Sequence, residues 1–319
     1  MSRTKNRIFT LVKWLVLLVT YGFLIYKLAN ISYWNELNST FRSPGFGQIA
    51  ALICVLMLMP VNWMLEAQKW QLITSDTVSL TFKKSLQSVL AGLNTGFITP
   101  NRIGDFAGRI LYLSPAHRTA GIALSLLNSL TQNIVLTFFG IAGGVVYFSA
   151  YHTDKNFDSY LMVVGVLFSA FIGLYFAFPC LVKKINTEKW AENLRNAAIS
   201  LSLLKSKKLV VILGVSVVRF AIFCLQFYLM LRFFDIEITA LQALSAIPVM
   251  YLLITFTPSL AAAEPAIRGS AALLIFSVFS SNEVGIILTG ILIWLINFVI
   301  PMLAGSVIVG VTRGSIKSE

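Results

Sequence analysis

The sequence predicts an all-α polytopic membrane protein with about six full transmembrane helices and two broken, re-entrant hairpins, arranged as an inverted repeat. Three observations predict this fold. Of the 319 residues, 57% are hydrophobic and 12% are charged, with a mean hydropathy of +0.81; an ordinary soluble domain is roughly 45–50% apolar. Long apolar runs recur along the chain, and one short charged motif occurs twice. If the hairpin arms also span, we expect eight helices.

Six apolar runs are long enough to cross a bilayer, which takes about 17 to 25 residues. They cover residues 8–29, 48–65, 120–148, 160–178, 209–231 and 284–311. The first run follows three basic residues, as in a signal peptide, but it has no convincing small-x-small cleavage site. We therefore expect a retained anchor and a single transmembrane domain over 1–319.

The basic residues set the expected orientation, because cytoplasmic loops retain Lys and Arg. With the N-terminus inside, most of the 25 Lys and Arg residues fall on the cytoplasmic side, Lys69 among them. Both termini are predicted to lie in the cytoplasm, and the protein in the cell's inner (cytoplasmic) membrane. The net charge of +12 indicates topology and attraction to anionic lipid. It does not indicate nucleic-acid binding, because it is spread over membrane-adjacent loops.

The cysteine and histidine residues do not predict a disulfide or a metal site. Cys54, Cys180 and Cys224 lie in apolar runs without CxxC spacing and are interpreted as small core residues. His117 and His152 have no metal-like partner at helical spacing. We therefore predict no metal and no cofactor.

The charged motif occurs once in each half of the chain. Residues 99–109 are TPNRIGDFAGR and residues 257–268 are TPSLAAAEPAIR, both Thr-Pro, a short gap, then acid-x-Ala-x-Arg. The apolar runs occur in the same order around each copy of the motif, which predicts pseudo-repeats at about 1–150 and 158–312. An odd number of crossings in each half makes the second copy enter from the opposite side, as in many transporters.

Each motif joins two apolar arms that are too short or too interrupted to be assigned as spans. The arms cover 85–98 and 106–113 in the first half, and 239–257 and 265–280 in the second. Basic residues flank the first pair and acidic residues flank the second, so we expect re-entrant hairpins from opposite faces whose breaks meet. The predicted structural breaks are Pro100, Gly104, Pro258 and Pro265.

The charges of the motif are costly in lipid, about 2.5–3.5 kcal/mol each at the bilayer centre on insertion scales, so they must face protein or water. Asp105 is expected to N-cap its arm, and Glu264 precedes Pro265, which suits a helix start. Two helix N-termini beside arginines suit an anion such as phosphate. The predicted binding residues of the motifs are Arg102, Asp105, Arg109, Glu264 and Arg268.

The alternative is a structural clasp, in which the acids only cap broken helices and Arg109 and Arg268 only neutralise them. From one half of the chain the two interpretations are balanced. The recurrence of the pattern in both halves favours a functional site.

Further polar residues lie within the apolar runs. Asn128 and Gln132 belong to a polar stripe that either lines the same cavity or supplies interhelical hydrogen bonds. Arg219 is too deep in its run to snorkel and is predicted to pair with Glu264 or Asp105, or to meet substrate. Glu66 is interpreted as interfacial and is assigned no role. Residues 181–208 are predicted to form a cytoplasmic segment that lies at the membrane interface.

The two motifs resemble those of a known family. TPNRIGDFAGR is similar to the P-G-R-x-G-E-x-x-R motif of the lysylphosphatidylglycerol synthase transmembrane (flippase-like) family, and TPSLAAAEPAIRG is similar to its second motif. The resemblance covers nearly the whole chain. It marks Pro100, Arg102, Gly104, Asp105, Arg109, Pro258 and Glu264. Asn101 replaces a glycine, Asp105 a glutamate, and Asn128 and Ser129 an expected Glu-Arg pair.

The resemblance implies a stand-alone member, without the aminoacyl-transfer domain. It favours a translocator of an anionic phospholipid or a polyprenyl-phosphate-linked lipid, and a transporter rather than an enzyme. The alternatives are an intramembrane enzyme or partner subunit in lipid headgroup modification, related to phosphatidylglycerol lysyltransferases, and a scaffold. The expected partners are anionic membrane lipid and a lipid-modifying or glycosyl-transfer enzyme.

Overall fold

The structure, a computed structural model, describes residues 44–151, 157–188, 190–259 and 261–307, together with Gly22. Within these residues all regular secondary structure is helical. The helices are α1 (Phe46–Thr74), α2 (Phe82–Ile98), α3 (Gly104–Ile110), α4 (Arg118–Tyr151), α5 (Phe157–Lys184), α6 (Glu192–Ser202), α7 (Ser206–Phe233), α8 (Ala240–Phe256), α9 (Glu264–Phe276) and α10 (Glu283–Trp294). A π-helical turn, Leu295–Val299, follows α10, and the helix continues beyond this turn to Val307.

Five of the described helices are long and apolar enough to cross a membrane: α1, α4, α5, α7 and the extended α10. They correspond to five of the six predicted runs, and the run 8–29 lies outside the described residues. The all-α polytopic fold is therefore confirmed. α1 continues to Thr74, well beyond the predicted end of its run at Leu65, because Glu66 and Lys69, which follow Leu65, are buried against other helices.

The first hairpin consists of α2 and α3, which are in close contact. A Cβ added to Gly104 would lie 2.2 Å from the carbonyl oxygen of Thr95, and one added to Gly108 would lie 2.3 Å from that of Ala91. Only glycine allows the two backbones to come this close. Thr95 Oγ1 also donates a hydrogen bond to the Gly104 carbonyl oxygen at 2.6 Å. Gly104 therefore fixes the spacing of the two arms directly after the break.

A single 3₁₀ turn, Pro100–Arg102, connects α2 to α3. Asn101 has φ 49° and Arg102 has φ 56°. This left-handed conformation is uncommon outside glycine, although asparagine tolerates it better than most residues. Arginine has no such tolerance, so contacts from outside the turn must hold it.

The second hairpin consists of α8 and α9, joined by residues 257–263. Glu264 is the first residue of α9 and Pro265 the second, where a missing backbone N–H costs no hydrogen bond. α9 packs so closely on α10 that a Cβ added to Gly290 would lie 2.7 Å from the carbonyl oxygen of Arg268. The start of α9 is thereby fixed between α8 and α10.

The long helices surround the two hairpins. α1 packs along α7. α8 packs along α4, where Gly143 approaches the Ser245 backbone. The extended end of α10 packs on α2, where Gly305 lies against Leu90. One apolar core joins α4 to α7–α10, and a second joins α1, α2, α4, α5 and α7.

The segment between α5 and α7 contains the short helix α6, which packs on α4 and α5. Ala198 is buried in this contact, whereas Trp190 and Leu194 are 43% and 54% exposed. Apolar side chains thus lie on both the protein side and the outer side of the segment. Its attachment to a membrane surface stays a prediction.

The assignment of the cysteines to the core is wrong for two of the three. Cys54 and Cys180 are exposed, Cys224 is partly buried, and all three are free. A helix surrounded by lipid has an apolar outer face as well as an apolar inner one. An apolar run therefore does not distinguish core positions from peripheral ones.

Candidate functional site

The tips of the two hairpins are in direct contact. The Asn101 backbone N–H donates to the Ser259 carbonyl oxygen at 3.0 Å, and the Ser259 N–H donates to Asn101 Oδ1 at 2.9 Å. These two bonds help to hold Asn101 in its left-handed conformation. The breaks in the two halves of the chain thus form one joint structure.

A cavity of about 500 Å³ lies at this contact, within the range of roughly 300–1,000 Å³ that is usual for small-molecule sites. All eight predicted binding residues line it: Arg102, Asp105, Arg109, Asn128, Gln132, Arg219, Glu264 and Arg268. They come from the first tip and from α3, α4, α7 and α9. The fold therefore brings together residues from both halves of the chain.

Glu264, which lines the cavity, binds two arginines and a tryptophan. Arg102 of the other hairpin donates through Nε to Oε1 at 2.8 Å and through Nη2 to Oε2 at 2.5 Å. Trp294 Nε1 donates to Oε2 at 2.7 Å, and Arg268 Nη2 lies 3.7 Å from the same oxygen. A two-point arginine–carboxylate contact is among the strongest ion-pair geometries. The main partner of Glu264 therefore comes from the opposite hairpin.

Phe298 also lines the cavity, beside these two arginines. Its ring centroid lies 3.8 Å from the guanidinium carbon of Arg102 and 5.0 Å from that of Arg268, within the range of cation–π attraction. Neither Phe298 nor Trp294 is among the residues predicted from the sequence. An aromatic residue in an apolar run carries no pattern that distinguishes a site from a core position.

Glu66 of α1 organises a second cluster of charged residues in the cavity lining and is 2% exposed. Its Oε1 lies 2.8 Å from Arg109 Nη2 and accepts a hydrogen bond from Asn128 Nδ2 at 2.7 Å. Its Oε2 binds Arg219 Nη1 and lies 3.1 Å from Lys69 Nζ. One buried carboxylate thus holds three cations from α1, α3 and α7.

Asp105 and Arg109 form the expected pair, but Asp105 does not cap its helix. α3 begins at Gly104 with Ile103 in the N-cap position, and Asp105 lies within the first turn. Asp105 Oδ2 accepts a hydrogen bond from Arg109 Nε at 2.8 Å. The N-cap prediction is wrong, because an acid four residues before an arginine lies on the same helix face and is bound by it.

Arg219 pairs with Glu66, so the predicted pairing with Glu264 or Asp105 is wrong. Arg219 also donates through Nε to Asn62 Oδ1 at 2.9 Å and through Nη1 to the Gln132 side chain at 3.1 Å. The physical reason is that α7 lies along α1, which makes the carboxylate of α1 the nearest one.

Glu66 and Lys69 are the charged residues that the sequence interpretation missed. Glu66, interpreted as interfacial, is 2% exposed, and Lys69, assigned to the cytoplasmic side, is 0% exposed. One signal was present: Asn62, Glu66 and Lys69 have i, i+4, i+7 spacing and share a helix face. The apolar run ends at Leu65, so hydropathy alone does not show that the helix continues.

The polar stripe of α4 has both of the uses that its spacing allowed. Asn128 and Gln132 bond across helices to Glu66 and Arg219, and both also line the cavity.

The described residues that line the cavity carry more positive than negative formal charge. The cations are Lys69, Arg102, Arg109, Arg219 and Arg268, and the carboxylates are Glu66, Asp105 and Glu264, five against three. Two buried guanidinium nitrogens, Arg109 Nη1 and Arg268 Nε, have no hydrogen-bond acceptor within the described ranges. Buried donors are normally paired. The excess of positive charge therefore makes the lining suited to an anionic ligand.

Comparison with known proteins gives one finding. A family model described as the lysylphosphatidylglycerol synthase TM region matches residues 11–305, a range that includes every charged residue of the cavity. No curated protein and no solved structure matches the chain.

Proposed function

The chain belongs to the lysylphosphatidylglycerol synthase transmembrane family, and from that membership we propose that it translocates a lipid with an anionic headgroup. The membership connects this multi-pass membrane protein with membrane lipid. The proposed class is an anionic phospholipid or a polyprenyl-phosphate-linked lipid. Its headgroup passes through the cavity while its tails stay in the bilayer.

The cavity carries the proposal. Its described lining has a formal charge of +2 and two arginine N–H groups without an acceptor. A buried charge without a partner costs several kcal/mol, and arginine binds phosphate oxygens in two-point geometry. A phosphate-bearing headgroup in the cavity would offset that cost.

The helix order supports an inverted repeat as the framework for translocation. α1 and α7 have 29 and 28 residues, and the first hairpin arms α2 and α8 have 17 each. The contacts are also reciprocal, since α8 packs on α4 and α2 packs on the end of α10. Transporters of this plan bind substrate between their repeats, and the cavity lies where the two hairpins meet.

Reconstitution into liposomes tests the proposal. Purified protein should speed the movement of fluorescent phosphatidylglycerol between leaflets, measured as the additional label that dithionite reduces. Arg109→Gln should lower the rate by about tenfold or more, because a charged hydrogen bond contributes about 1.5–3 kcal/mol. Arg232→Gln is the matched control, since Arg232 is 44% exposed and contacts only an exposed Glu237 carboxylate at 3.4 Å among the ion pairs described.

Equal rates for protein-free and protein-containing liposomes would refute translocation of this lipid. Equal rates for the Arg109 and Arg232 variants would refute the assigned site. Chemically altered lipid after incubation would favour the enzyme alternative instead.

We also propose that the protein lies in the cytoplasmic membrane with both termini in the cytoplasm. The open end of the first hairpin is basic and that of the second is acidic, which supports opposite sidedness. Lys84→Cys and Glu237→Cys, each in a background without native cysteines, test it. An impermeant thiol reagent should reach position 237 in intact cells and position 84 only after permeabilisation. Labelling of both from one side would contradict the inverted repeat.

A further inference from the structure

We propose that the head of the translocated lipid carries two negative charges, which two separate cationic subsites of the cavity hold. This inference rests on the proposed function and narrows its class of substrate. It follows from how the charges of the cavity divide.

The first subsite is built around Glu66. It contains Lys69, Arg109 and Arg219, against the carboxylates of Glu66 and Asp105, so its formal charge is +1. Arg109 is 5% exposed, and its Nη1 has no acceptor among the described residues. This nitrogen belongs to a side chain that lines the cavity.

The second subsite is built around Glu264. It contains Arg102 and Arg268 against one carboxylate, so its formal charge is also +1. The Arg268 side chain is 11% exposed, and its Nε has no acceptor in the part of the chain that the structure describes. Phe298 packs beside both guanidinium groups.

The two subsites are distinct groups of side chains in one cavity. The ion pairs of the first join α1, α3 and α7, whereas those of the second join the first hairpin tip to α9. Within the described ranges, no ion pair connects one subsite to the other. Asn128 and Gln132 of α4, which are neutral, also line the cavity and bond to Glu66 and Arg219 of the first subsite.

Charge balance in a buried site then favours a doubly charged ligand. A headgroup with one negative charge neutralises one subsite and leaves the other with an unbalanced cation and a free donor, a costly state away from water. A headgroup with two charges balances both subsites. A diphosphate link, or a phosphate with a second acidic group, meets this requirement.

Soluble diesters test the inference separately from transport. The probes are dimethyl phosphate, with one charge, and two dianions of different spacing: P1,P2-dimethyl diphosphate and propane-1,3-diyl bis(methyl phosphate). Their dissociation constants are measured by calorimetry on the protein in phosphatidylcholine nanodiscs. At least one dianion should bind about tenfold or more tightly than dimethyl phosphate, because the second subsite adds a charged hydrogen bond.

Arg268→Gln should reduce the affinity for the tighter-binding dianion to within about threefold of the affinity for dimethyl phosphate. The reason is that it removes one charge and one donor from the second subsite. Arg232→Gln should leave the preference unchanged, which controls for general attraction to a basic protein. Retention of the full preference in Arg268→Gln would overturn the assignment of the second subsite.

The comparison of the three probes on the unaltered protein does not depend on the folding of any variant. Binding of both dianions within about twofold of dimethyl phosphate, less than a charged hydrogen bond provides, would overturn the inference, even if phosphatidylglycerol is translocated. Tight dianion binding without translocation of any lipid would support the two subsites and would refute the proposed function instead.

Discussion

Arg102 and Glu264 are 162 positions apart, and they form a two-point ion pair between the hairpin tips, with Nε to Oε1 at 2.8 Å. Arg102 also has φ 56°, a left-handed conformation that costs an arginine roughly 1–2 kcal/mol. The ion pair helps to hold this conformation. Separation of the tips would break the pair and release the strain together, so the two effects partly offset each other.

Loss of Glu264 should destabilise the protein more than loss of Arg102. Glu264→Gln leaves Arg268 buried without a carboxylate, and breaking a buried ion pair costs about 3–5 kcal/mol. Arg102→Gln should cost about 1 kcal/mol, because the Arg102 side chain is 29% exposed and solvent screens its charge. The measurement is the free energy of unfolding in mixed micelles. Equal losses would show that Glu264 does not stabilise Arg268.

A disulfide across the tips should stop translocation reversibly. The Asn101 backbone N–H donates to the Ser259 carbonyl oxygen at 3.0 Å, so the two backbones lie close together, and a disulfide spans Cα separations of about 4.4–6.8 Å. In a chain without the three native cysteines, oxidised Asn101→Cys/Ser259→Cys should block lipid movement in the liposome assay, and reduction should restore it. Ser259→Cys alone is the control. Full activity in the oxidised protein would show that the tips need not separate.

Sequence patterns predicted the hairpins because their signals are local. Pro100 and Pro258 interrupt apolar runs, and the pattern acid-x-Ala-x-Arg recurs in both halves. The partner of an arginine is not local information. Arg102 binds Glu264 and Arg219 binds Glu66 because of how helices from different halves pack, and no spacing within one segment encodes that choice.

Glu66 illustrates the same limit in another way. A hydropathy boundary at Leu65 predicts the end of a helix only if the next polar residue meets water. Here Glu66 meets Arg109, Arg219 and Lys69 instead, and α1 continues to Thr74. A search for polar residues at helical spacing across the end of a run would have found it.

Gly108→Ala should disrupt the first hairpin. The added Cβ would lie 2.3 Å from the Ala91 carbonyl oxygen and from Thr95 Oγ1, so α3 would have to shift, at a cost of about 1–3 kcal/mol in the free energy of unfolding. Gly214→Ala in α7 is the matched control, because its added Cβ would have no neighbour within 4 Å outside its own stretch of helix. It should be neutral or stabilise by up to about 1 kcal/mol. Similar losses at both positions would contradict the close contact of α2 and α3.

Glu66→Gln should destabilise the protein by about 3–5 kcal/mol, because it keeps the shape of the side chain but leaves three buried cations without their shared carboxylate. The free energy of unfolding measures it. Glu237→Gln is the control: its carboxylate is 82% exposed beside Arg232, and such pairs contribute about 0–1 kcal/mol.

A second change separates charge balance from packing at Glu66. Lys69 is fully buried and binds the same carboxylate oxygen as Arg219. Glu66→Gln/Lys69→Met therefore removes one negative and one positive charge and restores the formal charge of the first subsite. If unbalanced charge causes the loss, the double variant should recover part of the stability that Glu66→Gln loses, because apolar replacement of buried ion pairs is often tolerated. A double variant no more stable than Glu66→Gln would place the loss in hydrogen bonding to Arg109 and Arg219 instead.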